Sequence, residues 1–456
     1  MAVYDKSGTS LEHTYSLNGD EILDLYKIVG RRIFNSQYDL PAYWLSYLSN
    51  KVPEIVEQLN DAGDSVLPII YITDYHENDY SYESANAGYS SEIIRYLVDQ
   101  LGVQRVVFCG DVYTKHQSKQ DALNSLASFA SKFAVGKNYS MSFVKGNHDD
   151  NNYGVGQLSN AEILSSYYSY IGKNSAYYYT DIPAKKVRLV FLDTRQTSID
   201  YSLSNGDATE KAYVTTEVNW LIDTLNGVPS GYSVVVFMHA IWWGAGSLST
   251  GSLIPSETGG VQGVLSLYNS KSSGVVFDTI PADFTSANGE ALFCISGHTH
   301  LDYSHLIRGI VCLSSSSDSY VMANIRPDNR THAQGTVTEH VLDVLLIDTE
   351  NKKLKTIRIG SGQDREFNLS GASIGQKCSV TRNLTGCSSS NSSSTAYGSY
   401  STTITANTGK TISSYSVSVY GFTVGSQYLT LSNDSTTLTI NLPCVYGDVI
   451  VNCTAS

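Results

Sequence analysis

The chain has 456 residues and a formal net charge of −13. That length exceeds one typical domain, and the acidic balance argues against a protein that binds duplex nucleic acid through a basic surface. No apolar run is long enough to cross a membrane, which argues against membrane insertion. The first residues lack the apolar core of a signal peptide. We therefore expect a soluble chain that stays inside the cell, has lost its signal, or leaves by another route such as lysis.

Residues 1–36 form a predicted N-terminal arm. Segments that begin at Tyr4 and Tyr15 share a pattern of Tyr, three residues, Gly, two residues and an aliphatic residue. Two copies make a short repeat, which is similar to repeats at the N-termini of bacteriophage tail and baseplate proteins. The alternative is a polar leader that packs loosely on the next domain.

Residues 37–370 read as one α/β domain. Apolar residues at helical spacing predict a helix over 41–62, and two amphipathic helices at 91–101 and 119–133 separate the first three predicted strands. Such βαβ units predict a largely parallel sheet. Residues 339–360 read as a β-hairpin. We expect a mixed sheet with helices outside both faces.

Five short motifs follow apolar runs of this domain, each at the point where a predicted strand ends. Ligands collect at the carboxyl ends of strands in open α/β sheets, so we expect these side chains to meet. The motifs are Asp74-Tyr75-His76, Gly110-Asp111, Gly146-Asn147-His148-Asp149, the single His239, and Gly297-His298-Thr299-His300.

The residue types in these motifs are those that bind transition metals. Histidine nitrogens with carboxylate oxygens suit first-row ions such as Mn, Zn, Fe or Ni and do not suit calcium. Two such ions about 3.5–4 Å apart can clamp the attacking and leaving oxygens of an in-line displacement. A bridging carboxylate holds that spacing, and Asp111 is the natural candidate because its motif supplies one acid and no second ligand.

Over roughly residues 65–365 the order of motifs resembles the calcineurin-like metallophosphoesterase superfamily. The resemblance implies a four-layer sandwich of two mixed sheets flanked by helices. It assigns the first metal to Asp74, His76, Asp111 and His300, and the second to Asp111, Asn147, His239 and His298. It also implies hydrolysis of a phosphodiester or phosphomonoester by a metal-bridging hydroxide.

The resemblance gives His148 the role of general acid toward the leaving group, which suits an imidazole near neutral pH. Asp149 follows it and is expected to orient it. The chain departs from the family at Thr114, where many members carry a second aspartate three residues after the first. That acid is not a metal ligand in the family pattern, so the departure concerns the surroundings of the site and the choice of substrate.

Three further residues are candidate substrate contacts, and each has an ordinary structural alternative. His116 follows Asp111 in the same predicted loop, although an exposed loop histidine is the commoner case. Trp242 follows His239 and either stacks on a base or sugar or anchors its loop on the core. Arg195 either clamps a phosphate or forms an ordinary surface ion pair.

The composition changes near residue 370, where serine and threonine become dominant. Residues 371–400 read as a flexible linker. Residues 401–456 alternate apolar and polar side chains in short runs, which predicts a small all-β sandwich that resembles the immunoglobulin-like modules of phage tail and bacterial surface proteins. Four of the seven cysteines lie in this C-terminal part and either pair or stay reduced.

Two functions are consistent with these patterns. The first is an active metallophosphoesterase on a tail-like or attachment architecture, acting on a phosphorylated cell-envelope polymer such as a teichoic acid, with a small phosphomonoester or cyclic nucleotide as the rival substrate. The second is an adhesion or structural protein that assembles into a virion or a homo-oligomer and whose phosphoesterase domain is vestigial. The complete set of ligands favours the enzyme.

Overall fold

A computed structural model describes residues 38–77, 89–194, 208–240, 260–277, 279–307, 309–318, 333, 335–370, 377–419, 422–445 and 447–456. The predicted N-terminal arm over 1–36 therefore lies outside the described residues. Within these ranges, none of the helices combines the length and the apolar composition needed to cross a membrane.

The predicted α/β domain alternates helices and strands. Its α-helices are α1 (Ala42–Ala62), α2 (Tyr89–Leu101), α3 (Lys119–Ala134), α4 (Asn160–Ser166), α5 (Ala208–Asn226) and α6 (Gly260–Ser270). Its strands are β1 (Val66–Ile72), β2 (Arg105–Cys109), β3 (Ser140–Val144), β4 (Tyr178–Ile182), β5 (Val187–Leu192), β6 (Ser233–Met238), β7 (Ser273–Val276), β8 (Ile280–Asp283), β9 (Glu290–Ser296), β10 (Tyr303–Ile307), β11 (Ile310–Ser314), β12 (Val341–Asp348), β13 (Lys353–Gly360) and β14 (Arg365–Asn368).

Two six-stranded mixed sheets form the centre of this domain. The first has the order β14-β13-β12-β1-β2-β3, and the second has the order β10-β11-β9-β6-β5-β4. In the first sheet β1, β2 and β3 are parallel, as the predicted βαβ units require. The predicted hairpin is the antiparallel pair β12 and β13. In the second sheet β5, β6 and β9 are parallel.

The two sheets pack face to face, and helices cover the second sheet on its outer side. Along β5, Leu189 and Phe191 join a core shared with the first sheet, whereas Val190 and Leu192 join a core shared with α5 and α6. Such alternation follows from the two-residue period of a strand. Helices α1 and α3 lie against β1 and β3 of the first sheet. The predicted four-layer α/β sandwich is thereby confirmed.

A buried ion pair joins the carboxyl ends of the two sheets. Lys145 directly follows β3, and its Nζ lies 2.8 Å from a carboxylate oxygen of Asp193, which directly follows β5. Both side chains are essentially inaccessible to solvent. The backbone N–H of Asp193 donates to the buried carboxyl of Glu217 on α5, and burial together with the charge of Asp193 raises the pKa of Glu217. Lys145, Asp193 and Glu217 together therefore connect the second sheet to both the first sheet and α5.

The predicted linker over 371–400 is wrong for most of its length. From Lys377 onward the chain forms β15 (Lys377–Thr385), β16 (Cys387–Ser389) and β17 (Thr395–Ala406). The serine-rich run was interpreted as flexible from composition alone, but its polar groups bond to β17: Ser389 Oγ lies 2.7 Å from Thr402 Oγ1, and Asn391 Nδ2 donates to the Ser401 carbonyl.

The C-terminal region is accordingly a β-rich unit that starts before residue 401. It continues through β18 (Ile412–Val419), β19 (Phe422–Thr423), β20 (Leu429–Leu431), β21 (Thr437–Val445) and β22 (Val449–Ala455). Strand β15 pairs first with β17 in antiparallel and then, from Val380, with β22 in parallel. Cys387 and Cys453 are free thiols here.

Replacement of Lys145 by methionine tests the link between the sheets. We expect Lys145→Met to lower the free energy of unfolding by about 3–5 kcal/mol, because it removes the positive charge that faces the buried Asp193 carboxylate. Urea unfolding followed by circular dichroism measures this change.

The matched control is Lys119→Met, which removes a solvent-exposed partner of Glu162. A surface pair contributes about 0–1 kcal/mol, so this variant should unfold close to the parent protein. Equal, small effects of the two substitutions would show that Lys145 does not hold the sheets together.

Candidate metal centre

The predicted ligands lie where the carboxyl ends of both sheets meet. Strands of the first sheet bring Asp74, His76, Asp111 and Asn147, and strands of the second bring three histidines. Within this cluster, one donor atom each from Asp74, His76, Asp111 and His300 lie within 4.8 Å of one another, as do donor atoms from Asp111, His239 and His298. Asp111 belongs to both groups, which is the position expected of a bridging ligand.

Asn147 completes the second group. Its Oδ1 lies 2.9 Å from His239 Nε2 and 2.9 Å from His298 Nδ1. His239 Nε2 is also 3.1 Å from Asp111 Oδ2. The structure thus brings together all seven residues that the sequence nominated as ligands.

The protonation states of several of these residues suit metal binding. Burial would raise the pKa of Asp74, but His300 outweighs it and lowers that pKa to about 2. Burial likewise opposes the charged form of Asp111, yet His239 and His148 hold its pKa well below the usual value. Burial lowers the pKa of both His76 and His298 to about 3. Two ionised carboxylates and two neutral imidazoles are the forms that bind metal.

His239 differs because Asp111 is its close neighbour. Burial alone lowers the pKa of His239, but the charge and hydrogen bond of Asp111 outweigh burial and raise this pKa to about 9. The ring Nδ1 lies 2.6 Å from the Cys109 carbonyl oxygen, so Nδ1 carries a hydrogen and donates it. The inward Nε2 is then the atom that exchanges its proton for a metal ion. The site is built to hold positive charge at this point, and its residues fit the two metal ions that the sequence implies.

The loops that carry the ligands have strained backbones. Five of the seven ligands have a positive φ, a region that costs non-glycine residues about 1–3 kcal/mol each. Such strain persists only where the surrounding structure enforces it. The five residues are Asp74 (φ 53°), His76 (46°), Asp111 (61°), His298 (67°) and His300 (58°).

Two glycines allow these loops to approach each other closely. A Cβ added at Gly297 would overlap Thr73 Oγ1 and Asp74 Oδ2. A Cβ added at Gly146 would overlap the carboxylate and the backbone nitrogen of Asp111. The two motifs therefore require glycine because a side chain would collide with ligand loops that are distant in the sequence.

A run of buried serines supports the loops from behind, and sequence reasoning missed it. The hydroxyl of Ser314 donates to the Gly297 carbonyl, that of Ser316 to the His300 carbonyl, and that of Ser317 to the Asp74 carbonyl. All the serines from Ser314 to Ser317 are buried. Four serines in succession resemble a linker by composition, and their position directly after an apolar strand is the one signal against that interpretation.

A buried ionic network lies behind the serines. Arg358 donates to Asp343 and to Asp302, each at 2.8 Å, and Arg365 donates to the Ser314 carbonyl at 2.7 Å. Asp302 in turn accepts from the backbone N–H of Ser316. The network therefore connects β13 and β14 of the first sheet to the loop that presents His298 and His300.

His148 lies beside Asp111, the candidate bridging ligand. The carbonyl of Thr114 orients its ring, and the predicted group, Asp149, does not. Its Nδ1 is 2.5 Å from the Thr114 carbonyl oxygen, which requires an Nδ1–H, and its Nε2 is 3.9 Å from Asp111 Oδ2. The Asp149 carboxylate instead accepts hydrogen bonds from the backbone N–H groups of Asp111, Val112 and Gly146. The expectation that Asp149 orients the His148 ring is therefore wrong for the contacts of the described residues: Asp149 holds two ligand loops together.

Thr114, where many family members have an acid, contacts the site twice. Its carbonyl oxygen accepts from His148, and its Oγ1 lies 3.2 Å from His76 Nδ1. A hydroxyl thus takes the place next to a ligating histidine that an outer carboxylate often occupies in metal sites.

Burial and the charge of Asp111 raise the pKa of Asp149 to about 6.

The three candidate substrate contacts have different outcomes. Trp242 and Arg195 lie outside the described residues. The ring of His116 packs on Tyr113, with ring centres 4.6 Å apart, and burial lowers the pKa of His116. Its backbone N–H donates to Asn151 Oδ1, so His116 braces the loop that follows the catalytic motif. Sequence reasoning missed Tyr153 of that loop, whose ring lies against His148.

Replacement of Gly297 by alanine tests the close approach of the loops. We expect Gly297→Ala to weaken metal binding by about 10–100-fold, the range for changes that displace groups supporting a ligand. Calorimetric titration with Mn or Zn measures the affinity and the number of ions.

The matched control is Gly172→Ala, because Gly172 has a φ of 69° but open space around its Cα. That variant should bind metal like the parent protein, at a small cost in stability. Unchanged metal binding by Gly297→Ala would contradict the steric account of the loop.

The described geometry agrees with comparisons with known proteins. The calcineurin-like phosphoesterase family profile matches residues 67–302, which is more than half of the chain. No curated protein matches the chain.

Several solved structures match the chain at low sequence identity. A dimetal phosphatase from Danio rerio is 16% identical, with 67% of this chain and 99% of that chain covered and a TM-score of 0.43. A phosphopantetheinyl hydrolase from Mycobacterium tuberculosis is 13% identical, with 56% and 91% covered and a TM-score of 0.30. A predicted phosphoesterase from Streptococcus pneumoniae is 12% identical, with 66% and 98% covered and a TM-score of 0.23. By the profile match and the ligand cluster, the chain belongs to the calcineurin-like phosphoesterase family.

Proposed function

We propose that this protein hydrolyses a phosphoester, diester or monoester, at a centre of two divalent metal ions. One observation carries the proposal: two groups of donor atoms, buried except for the partly buried His298, share Asp111, and His148 lies beside that shared carboxylate. This arrangement supplies both a place for two adjacent ions and a proton donor at their edge.

The residues divide into two sets. Asp74, His76, Asp111 and His300 would hold one ion, and Asp111, Asn147, His239 and His298 the other; Mn, Zn, Fe and Ni are all compatible with these donors. When bound, the ions would lower the pKa of water and neutralise charge that develops on the phosphoryl oxygens.

His148 provides the proton for the leaving group. Hydrolysis joins a water oxygen to phosphorus and breaks the bond from phosphorus to the leaving oxygen, which must gain a proton. The Nδ1–H of His148 is engaged by the Thr114 carbonyl, so Nε2, which faces Asp111, is the atom that delivers it.

A vestigial phosphoesterase domain is the weaker alternative. Loss of function in such a domain usually begins with loss of a ligand, and here all seven positions carry a side chain able to bind metal. The supporting serines, glycines and Asp149 also contact the ligand loops. These features favour an active enzyme.

For the natural substrate we propose a phosphorylated cell-envelope glycan, in preference to a small phosphomonoester or cyclic nucleotide. The support is the C-terminal β-rich unit, which resembles glycan-binding or assembly modules in sequence and exposes Tyr397 and Tyr415. Tyrosine combines an apolar face with a polar tip and therefore suits sugar surfaces. Release of phosphate-linked fragments from purified teichoic acid tests this choice. The tail-like arm and assembly into a virion or a homo-oligomer stay predictions.

The first prediction of this function concerns metal-dependent turnover. We expect the purified protein to hydrolyse bis-p-nitrophenyl phosphate or p-nitrophenyl phosphate with Mn, Zn or Ni, and to stop in EDTA. Asp111→Asn should lower kcat by about a hundredfold or more, since it removes the charge shared by both metal groups. Nitrophenolate absorbance measures the rate, and elemental analysis measures bound metal.

The control is Asp61→Asn, because Asp61 is an exposed acid on the last turn of α1, remote from the ligands. It should retain full activity. No turnover and no bound metal in the parent protein would overturn the enzyme proposal, whereas bound metal without turnover would restrict it to a narrow substrate.

A second prediction separates the proton donor from the metal ligands. His148→Asn should retain both ions, and it should slow esters with poor leaving groups by about 10²–10⁴-fold. Nitrophenyl esters should suffer far less, because nitrophenolate leaves without prior protonation. Equal losses on phenyl and nitrophenyl esters would contradict a role in protonating the leaving oxygen.

A further inference from the structure

Tyr153 lies on the candidate proton donor and is still half exposed. The ring centres of Tyr153 and His148 are 4.5 Å apart with planes inclined by 31°, and the Tyr153 hydroxyl oxygen is 3.5 Å from Asn147 Nδ2. The side chain is 51% exposed. One face of the ring therefore covers His148 while much of its surface remains open at the edge of the metal centre.

The loop that carries Tyr153 is firmly held. The buried Asn151 accepts from the backbone N–H of His116 at 2.8 Å and donates to the Val155 carbonyl at 3.0 Å. The backbone carbonyl of the buried Asp150 accepts from the N–H of Leu158 at 2.7 Å. These bonds close the loop at its base and leave Tyr153 and Val155, which is 58% exposed, at its tip. Loops that a rigid scaffold holds in place often carry binding residues.

The position of Tyr153 follows from the direction of the proton transfer. The leaving oxygen must come within hydrogen-bond reach of His148 Nε2. Whatever is attached to that oxygen then continues outward past the imidazole. The exposed aromatic surface nearest to the imidazole among the described residues is that of Tyr153.

We propose that Tyr153 is a specificity-determining residue that stacks on the leaving group, and that the preferred substrates carry a ring with an apolar face next to the ester oxygen. This inference rests on the proposed phosphoesterase function. Aromatic rings stack on tyrosine through their π-faces, and sugars do so through their C–H faces. Both sources offer the same chemistry, and an open alkyl chain does not.

The test compares three esters on four proteins. Phenyl phosphate, glucose 1-phosphate and n-propyl phosphate, or their methyl diesters if diesters are preferred, are assayed with the parent protein, Tyr153→Ala, Tyr153→Phe and Tyr170→Ala. Tyr170 is an exposed tyrosine of the 3₁₀ helix Tyr168–Ile171 and serves as the matched control. Ratios of kcat/KM between esters cancel the intrinsic reactivity of each ester when the proteins are compared.

We expect Tyr153→Ala to lower the kcat/KM ratio of at least one ring ester to the propyl ester by about tenfold. The loss should fall mainly on KM, and Tyr153→Phe and Tyr170→Ala should keep the parent ratio. Loss for phenyl alone identifies an aromatic leaving group, and loss for glucose 1-phosphate alone identifies a sugar. A uniform loss on all three esters would overturn the proposal, because it would show that Tyr153 only shields His148.

Binding of unreactive phosphonates separates this inference from the proposed function. If none of the esters is hydrolysed, the phosphoesterase proposal fails on these substrates, and calorimetry with phenylphosphonate and n-propylphosphonate on the metal-loaded protein decides the role of Tyr153. Tighter binding of phenylphosphonate than of n-propylphosphonate, if it disappears in Tyr153→Ala, supports stacking of a ring on Tyr153. Equal affinities, or no binding of either compound, overturn it.

Discussion

The packing of two sheets against each other is the constraint on which the metal centre depends. Neither sheet carries a complete ligand set: Asp74, Asp111 and Asn147 follow strands of one, and the three histidines at 239, 298 and 300 follow strands of the other. Donor atoms must meet within a few ångströms, so a small slip between the sheets would separate them. The apolar faces of the sheets supply the adhesion, but apolar contact is non-directional and does not by itself define a register.

Directional contacts define that register at the same edge of the sandwich. The Lys145–Asp193 ion pair joins the sheets beside the ligands. Arg358 connects the first sheet to Asp302 in the loop after His300, and Arg365 connects it to Ser314 at the end of β11. Buried charges of this kind are costly unless their partners are in place, so they penalise any misaligned packing. The ligand loops beside these contacts have positive φ values, so the protein stores strain where it needs fixed geometry.

Much of this arrangement could be predicted from the sequence, because its main features are local. Apolar runs followed by Asp, Asn or His predict both the strands and the metal ligands at their carboxyl ends. The two helices between β1, β2 and β3 predict a parallel sheet. Interactions between distant segments could not be predicted in the same way. Asp149 was expected to act on its neighbour in the chain, His148, but it bonds to the backbone of Asp111 and Val112.

Composition misled the interpretation of one serine-rich stretch, and it concealed the role of another, for a related reason. Ser314 to Ser317 and the run around Ser389 both resemble linkers, yet their hydroxyls have partners in other segments of the chain. A serine-rich segment is ordered when carbonyl or hydroxyl groups of other segments form hydrogen bonds with it. Composition alone does not show whether such partners are present. Tyr153 escaped notice likewise, since its meaning depends on its contact with His148.

The partner exchange of β15 has a mechanical consequence. From Val380 to Thr385 this strand runs parallel to β22, paired with Val449 to Thr454. A pull between the catalytic domain and the carboxyl end of β22 acts on opposite ends of that pair. The hydrogen bonds between the two strands would then be loaded together, in shear, instead of opening one after another. The C-terminal unit is thereby suited to carry tension along the chain.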